Sequence, residues 1–434
     1  MKKFLTAIIL ISLPFFITAC TLQDLPGIGK FFGNGGGLRK PVDLAMWGLW
    51  ENPSVMNTLI GNYSQSNPDV AINYDDRSVI KPEEYKEILF GRLAQEADVP
   101  DIVLVHNTWV SEMTDLLEPM PAKMMDTETY SGKFYPAAVQ SAVMGGKIYA
   151  SPMYFDGLVL VYNKDHFEEI NQATPPSSWE EFRSLAIRLT QIGENRDLLR
   201  AGAAIGTDNN IDFSTDIIGL FFQQARVSIP DQLSSLPAQD ALSFYLKFSA
   251  DDGVWNSSFP KEAVAFARER VSMIFIPSWN LLDIIKARPD MNIGVAMVPQ
   301  IDQDNPVTWG SFWMYAVPKN SKNKEVSWDF INFITSEEQE LIKFNEASRY
   351  RPFGAPFANK SLRNKVQSGS IAEYLSPVMM SGMYSQSNVF SARSGNQKEI
   401  NLLTTALQKI METNPTRKAT PEEALKEVKA GLTQ

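Results

Sequence analysis

From Val42 onward, short apolar runs with strand periodicity alternate with helical patterns, and the alternation continues for about 390 residues. A stretch that long exceeds what one hydrophobic core supports and suits α/β layers divided between two lobes. Cys20 is the only cysteine, so no disulfide can staple the lobes, and each must be held by the apolar area it buries.

The local signals fix where many elements begin. Val42–Met46 alternates apolar and polar residues as a first strand, Pro53–Gln65 carries Val55, Leu59 and Ile60 at helical spacing, and a short strand follows around Ala71–Tyr74. Pro82 stands where the first residue of a helix belongs, with Tyr85, Ile88, Leu89 and Leu93 along one face. Asp101–Val105 reads as a buried strand, and Leu158–Tyr162 as another. Ser178 and Glu181 form a capping box that opens a helix to about Leu189. Helices are predicted at Ser214–Gln224, Ala238–Ala250 and Glu262–Arg268, strands at Val271–Ile276 and Ile293–Val298. Thr420-Pro421-Glu422-Glu423 announces the last helix.

The first 20 residues carry an export signal, with Lys2 and Lys3 ahead of the apolar run Phe4–Ile17, which is too short to span a bilayer. Ile17-Thr18-Ala19-Cys20 resembles a bacterial lipobox, which implies cleavage before Cys20 and acylation of its sulfur; two acyl chains would contribute up to about 20 kcal/mol of anchoring. Residues 21–40 contain six glycines and few charges, as a flexible tether with an r.m.s. span of about 25 Å does. The formal charge of −10 becomes −12 without Lys2 and Lys3. That acidity, with no basic cluster against it, excludes nucleic acid as the expected partner. No later stretch has the ~18 consecutive apolar residues a membrane span needs.

Residues 151–167, SPMYFDGLVLVYNKDHF, carry the main functional signal. A polar and aromatic loop around Tyr154 and Asp156 runs into an apolar strand. This stretch, the helix-then-Pro100-Asp101-Ile102-Val103 order before it, and residues 309–354 resemble family 1 extracellular solute-binding proteins, the maltose-binding-protein-like receptors of ABC importers. The resemblance runs from Val42 to Leu432 and implies a two-lobe periplasmic-binding-protein-like fold of type II. Its N-terminal lobe would be residues 41–155 plus 309–350 and its C-terminal lobe 156–308 plus 351–434, joined by hinge crossings. It implies a sugar or oligosaccharide held between the lobes, permease subunits as partners, a monomer, and no catalysis and no cofactor.

Residue by residue, the resemblance puts Trp50, Glu51 and Asn52 in the first ligand loop and Asn107, Thr108 and Trp109 in the second. Thr108 stands where the maltose-binding type carries an acid. Asp156 matches the acidic hinge position, with Tyr154 beside it, and Met273–Trp279 resembles the segment whose tryptophan stacks on sugar. The usual Gly-Pro before that tryptophan is Pro277-Ser278 here. Met380–Tyr384 falls near another aromatic ligand position.

The residues themselves point the same way. Trp47, Trp50, Trp109, Trp279, Trp309 and Trp313 sit at or just beyond strand ends, where ligands bind in open α/β sheets. Trp179, Trp255 and Trp328 read as core. Glu51 and Asp156 suit acceptance of sugar hydroxyls; as an acid–base pair they would make a glycoside hydrolase, the enzymatic alternative. With His106 and His166 the only histidines, no His/Cys metal site and no Ser-His-Asp triad is signalled. His106 adjoins the second ligand loop, and His166 is expected in solvent. Arg349 and Arg351 flank Tyr350 at the return crossing, near Arg349–Pro352, and a guanidinium there would favour a phosphorylated polyol such as glycerol phosphate.

Overall fold

The apolar runs predicted as strands divide between two main sheets. The computed structural model describes residues 41–95, 98–351, 355–366 and 370–434. The export signal, Cys20, the glycine tether and Pro352 lie outside the described residues. Residues 42–434 form one compact unit with a continuous apolar core.

The first strand, Val42–Gly48, pairs in parallel with Val70–Asp76. Met46 bridges to Ile102 in parallel, which leads into Val103–His106, two residues later than the Asp101 start the sequence suggested. Val103–His106 lies antiparallel to Trp313–Ala316, whose other edge takes Ser151–Pro152. The second sheet has five strands in the order Ile293–Ala296, Leu158–Asn163, Val271–Pro277, Leu198–Ala203, Gln191–Ile192. Only the step between Val271–Pro277 and Leu198–Ala203 is parallel. All six residues of Leu158–Asn163 are buried, as a central strand covered on both faces requires. The chain therefore passes from one sheet to the other within residues 153–157. It does so again at a short parallel pair, Thr308–Trp309 with Ser385–Gln386, just before Trp313–Ala316.

The helix starts are local chemistry. Asn52 caps Pro53–Ser66 by accepting from Ser54 N at 2.8 Å. Capping boxes at Ser178/Glu181 and Thr420/Glu423 open Trp179–Leu189 and Pro421–Leu432. Ser214–Gln224 is different: all eleven residues are buried, including Asp216, Gln223 and Gln224. A helix with no solvent face is a partition inside the protein. The two C-terminal helices, Gln397–Met411 and Pro421–Leu432, pack on each other, and the last one packs on Leu236–Ala250.

Candidate ligand-binding cleft

A cavity of about 720 Å³ opens where the two sheet systems meet, within the ordinary size range of small-ligand pockets. Asp156 is its central tie. The residue is buried just before the Leu158–Asn163 strand. Its Oδ1 accepts from Gly157 N at 2.7 Å and Ser278 N at 3.0 Å, and its Oδ2 accepts from Ser278 Oγ at 2.8 Å. Its carbonyl accepts from Ser311 N at 2.9 Å. One side chain thus joins the 153–157 passage to the end of Val271–Pro277, and its backbone joins it to the second passage. Burial pushes the carboxyl up to about 6, against the lowering effect of the Ser278 and Gly157 donors. Gly157 is required here, since a Cβ would lie 1.8 Å from the Trp309 carbonyl oxygen.

Two indoles are presented to the cavity. Trp50 adopts a left-handed backbone, φ 63°, which lifts a side chain 39% exposed out of a chain otherwise heading inward. Trp279, 38% exposed, sits in the first turn of the Ser278–Ala287 helix that directly follows Val271–Pro277. The strand end expected from the sequence is in place, and Pro277 as the residue before the helix makes a sharp strand-to-helix turn there. Phe213 packs edge-on to Trp279 with centroids 6.0 Å apart, and the Arg393 guanidinium lies 5.1 Å from the Trp279 ring. Trp309 and Trp313 also line the space but are buried.

The three cations on the cavity wall, Arg351, Lys261 and Arg393, are each paired with an acid of the protein. Arg351 Nη2 reaches Glu51 Oε1 at 2.9 Å and the Trp50 carbonyl at 3.2 Å. Glu51 Oε1 also accepts from Asn52 N at 3.1 Å, while its buried Oε2 has no partner among the described residues. Asp212 pairs with both Lys261 and Arg393 at 2.8 Å. Asp216 takes N–H groups from Trp309 Nε1 at 2.8 Å and Ala392 at 2.7 Å; burial nevertheless pushes its carboxyl up to about 8. His106, buried at a strand end, contacts Ser311 Oγ at 3.2 Å, and Ser311 Oγ meets Ser391 Oγ at 2.7 Å. Burial first, and Lys86 second, hold its pKa down near 3, so the imidazole is neutral. Among the described residues no group of three or more His, Cys, Asp or Glu is arranged to hold a metal ion.

Of the residues singled out from sequence, Trp50, Tyr154, Asp156, Trp279 and Trp309 come together on the cavity wall, with Glu51 immediately behind Arg351. Others serve the scaffold. Asn52 is a helix cap. Asn107 donates to Ser141 Oγ and Ser387 Oγ and accepts from Phe312 N. Thr108 bonds His106 and Asn396. Trp109 is fully buried, stacked on Tyr85 at 6.3 Å, and does not reach the cavity. Trp47 is buried beneath Arg77, whose guanidinium lies 4.0 Å from the ring. Arg349 is turned outward to Glu346 at 2.7 Å, and Arg351 alone of the two lines the cleft. His166 is buried against Ser272 Oγ at 3.1 Å rather than solvated. Sequence reasoning missed Phe213, Asp216, Ser278 and Arg393. Asp216 carried a signal, an acid directly before the apolar run of residues 217–222.

A cleft between two sheet systems joined by crossing strands, walled by exposed indoles and by cations already paired with acids, defines a ligand-capturing receptor. Residues 47–341 match the bacterial extracellular solute-binding protein family, and the chain belongs to that family, which is one of binding proteins rather than enzymes. A binding protein of Brucella abortus is 24% identical over 301 residues, covering 67% of this chain and 70% of that one. The maltotriose-binding protein of Pyrococcus abyssi is 21% identical over 314 residues, covering 68% and 63%. Among solved structures, the sugar-binding protein MalE from Xanthomonas citri superposes with a TM-score of 0.71 at 16% identity, over 90% of this chain and 98% of that one. A cyclo/maltodextrin-binding protein complexed with maltotetraose gives 0.70 at 16%, over 91% and 97%. The fold is therefore the two-lobe type II α/β architecture. Among the described residues no helix is long and apolar enough to cross a membrane.

Proposed function

We propose that the protein is the lipid-anchored substrate-binding component of an ABC importer, which captures a neutral sugar or oligosaccharide by hinge closure and hands it to permease subunits. The observation that carries the reading is the pair of exposed indoles, Trp50 and Trp279, on a cavity whose cations already have acidic partners in the protein. Indole faces stack on the C–H faces of sugar rings, and a wall whose cations are all paired offers no free positive charge to an anionic ligand. The names of relatives support the class. One is a maltotriose-binding protein, one an erythritol/L-threitol-binding protein of Mycolicibacterium smegmatis, and one from Deinococcus radiodurans an ABC transporter-binding protein.

Trp50, Trp279, Trp309, Tyr154 and Asp156 are the residues assigned to the ligand, with Glu51 behind them holding Arg351 in place. Asn52, Asn107, Thr108 and Trp109 hold the loops that carry them, and Arg349 stands outside. The phosphorylated-polyol reading rested on a free guanidinium. Arg351 is the arginine in place, and Glu51 occupies it, which favours the neutral ligand. The lobe boundaries at 155/156, 308/309 and 350/351 are assigned on the same reading. They are supported by the change of sheet between Ser151–Pro152 and Leu158–Asn163. Ligand contacts from both lobes would favour the closed form by differential affinity. Acylated Cys20 would keep the receptor on the outer face of the cell membrane.

The test is a panel of mono- and oligosaccharides, polyols and their phosphates, scored by thermal stabilisation and calorimetry with a check for product. A ligand at 100 times its Kd stabilises by about 2.7 kcal/mol and is recovered unchanged. Trp279→Ala is expected to weaken that ligand at least tenfold with the unfolding transition intact. Stabilisation by phosphates alone, or by nothing on the panel, removes the proposal.

A further inference from the structure

The partition helix Ser214–Gln224 has a second cavity at its other end. Its first turn, Ser214–Asp216, borders the cleft; its last residues, Gln223 and Gln224, border a separate space of about 780 Å³. Asp216 and Gln223 are seven residues apart, about 10 Å along the helix axis. The two spaces share a wall. Trp309 faces the cleft and packs so tightly on the helix that a Cβ on Gly219 would lie 2.7 Å from its ring, while Asn388 seals the far side by donating to the Gly219 carbonyl at 3.1 Å.

The lining of this second space is unlike a packing defect, which would be apolar. Gln140, Gln223, Gln386 and Asn388 contribute side-chain amides, and Tyr384 presents an aromatic face 40% exposed. Several of these groups are unused. The Gln223 Oε1 atom is buried without a hydrogen-bond partner, in a side chain only 8% exposed. The Gln386 amide and the Tyr384 hydroxyl make no hydrogen bond among the described residues. The charged residues of the lining are Arg226, Asp302 and Asp304, and the first two pair at 3.5 Å. Amides that can both donate and accept, an aromatic face and little net charge are the groups that recognise O–H-rich neutral molecules.

We propose that this cavity is a second binding site, for a neutral polyhydroxylated molecule of the sugar or polyol class. The site is built from residues apart from the cleft and stands whether or not the cleft takes sugar. Equilibrium dialysis of the purified protein with radiolabelled sorbitol, trehalose and maltotriose tests it, comparing wild type with Trp279→Ala, with Tyr384→Ala/Gln386→Ala and with Gln223→Leu. The expected result is a binding event for at least one probe that survives Trp279→Ala and weakens at least tenfold in Tyr384→Ala/Gln386→Ala, two changes at exposed positions. Gln223→Leu should abolish the same event while raising the unfolding midpoint, because it removes a buried polar atom with no partner. The proposal is overturned if no probe binds outside the cleft, if Trp279→Ala removes all binding, or if the surviving event is indifferent to the Tyr384, Gln386 and Gln223 changes.

Discussion

Arg351→Met is the perturbation whose outcome the geometry determines most sharply. The Glu51 side chain has no solvent exposure, and its carboxylate is held by the Arg351 guanidinium at 2.9 Å and the Asn52 N–H at 3.1 Å. Methionine keeps much of the apolar stem but strips the carboxylate of its counter-charge, leaving one N–H donor and an Oε2 that is already orphaned. Severing a buried pair costs about 3–5 kcal/mol. Arg351 is 24% exposed, so water can partly replace it, and about 2–3 kcal/mol is the appropriate figure. Glu51→Gln keeps the Asn52 hydrogen bond and frees an arginine that can reach solvent, at about 1 kcal/mol.

The double variant Arg351→Met/Glu51→Gln then carries no buried charge and should be about as stable as Glu51→Gln alone, which gives a coupling of about 2 kcal/mol. Urea unfolding followed by tryptophan fluorescence and far-UV circular dichroism measures all three variants, with coincident curves as the check on two-state behaviour. If Arg351→Met costs less than about 0.5 kcal/mol, or the two changes simply add, the pair is not the desolvated contact described here. The pairing of the cleft's cations would then fail with it.

Three further outcomes follow from single contacts. Because burial raises Asp156 to about 6, an unfolded chain ionises it near 3.8 while the folded protein keeps the proton longer. The Asp156 contribution to stability should therefore fall by on the order of 2 kcal/mol as pH rises from about 4 to 6, and level off above. Asp156→Asn should flatten that segment of the profile relative to wild type, and an unchanged slope would dismiss the effect. Gly157→Ala drives a Cβ against the Trp309 carbonyl, a backbone atom that cannot step aside; a loss of at least about 3 kcal/mol in chemical denaturation is expected. Thr420→Ala removes the side-chain half of a capping box and should cost about 1 kcal/mol, visible as a lower urea midpoint with unchanged m.

What the sequence revealed and what it hid divide along the range of the forces involved. Helix starts were legible because their chemistry is contained in four residues, as at Ser178–Glu181 and Thr420–Glu423, and strand Leu158–Asn163 because its burial is written as an uninterrupted apolar run. The two-residue strands Thr308–Trp309 and Ser385–Gln386 leave no periodicity to read, since their pairing joins segments 77 residues apart. The tryptophans show the same limit more finely. Trp47 and Trp50 are three residues apart, yet one lies under an arginine and the other is lifted into the cleft by a left-handed backbone that nothing in its own composition demands. Arg349 and Arg351 straddle one tyrosine at the end of the Glu337–Ala347 helix; Glu346 draws the first outward, and the second reaches a carboxylate 300 positions earlier in the chain. Asp216 stays inside an apolar helix because Trp309 and Ala392, distant in sequence, supply the N–H groups that its burial requires. The apolar pattern thus determines which surfaces are buried, whereas the identity of the cleft-facing groups is settled by long-range hydrogen bonds and ion pairs. The same condition that conceals those groups in a single sequence would make them sensitive to the relative position of the two lobes, as the proposed hinge closure requires.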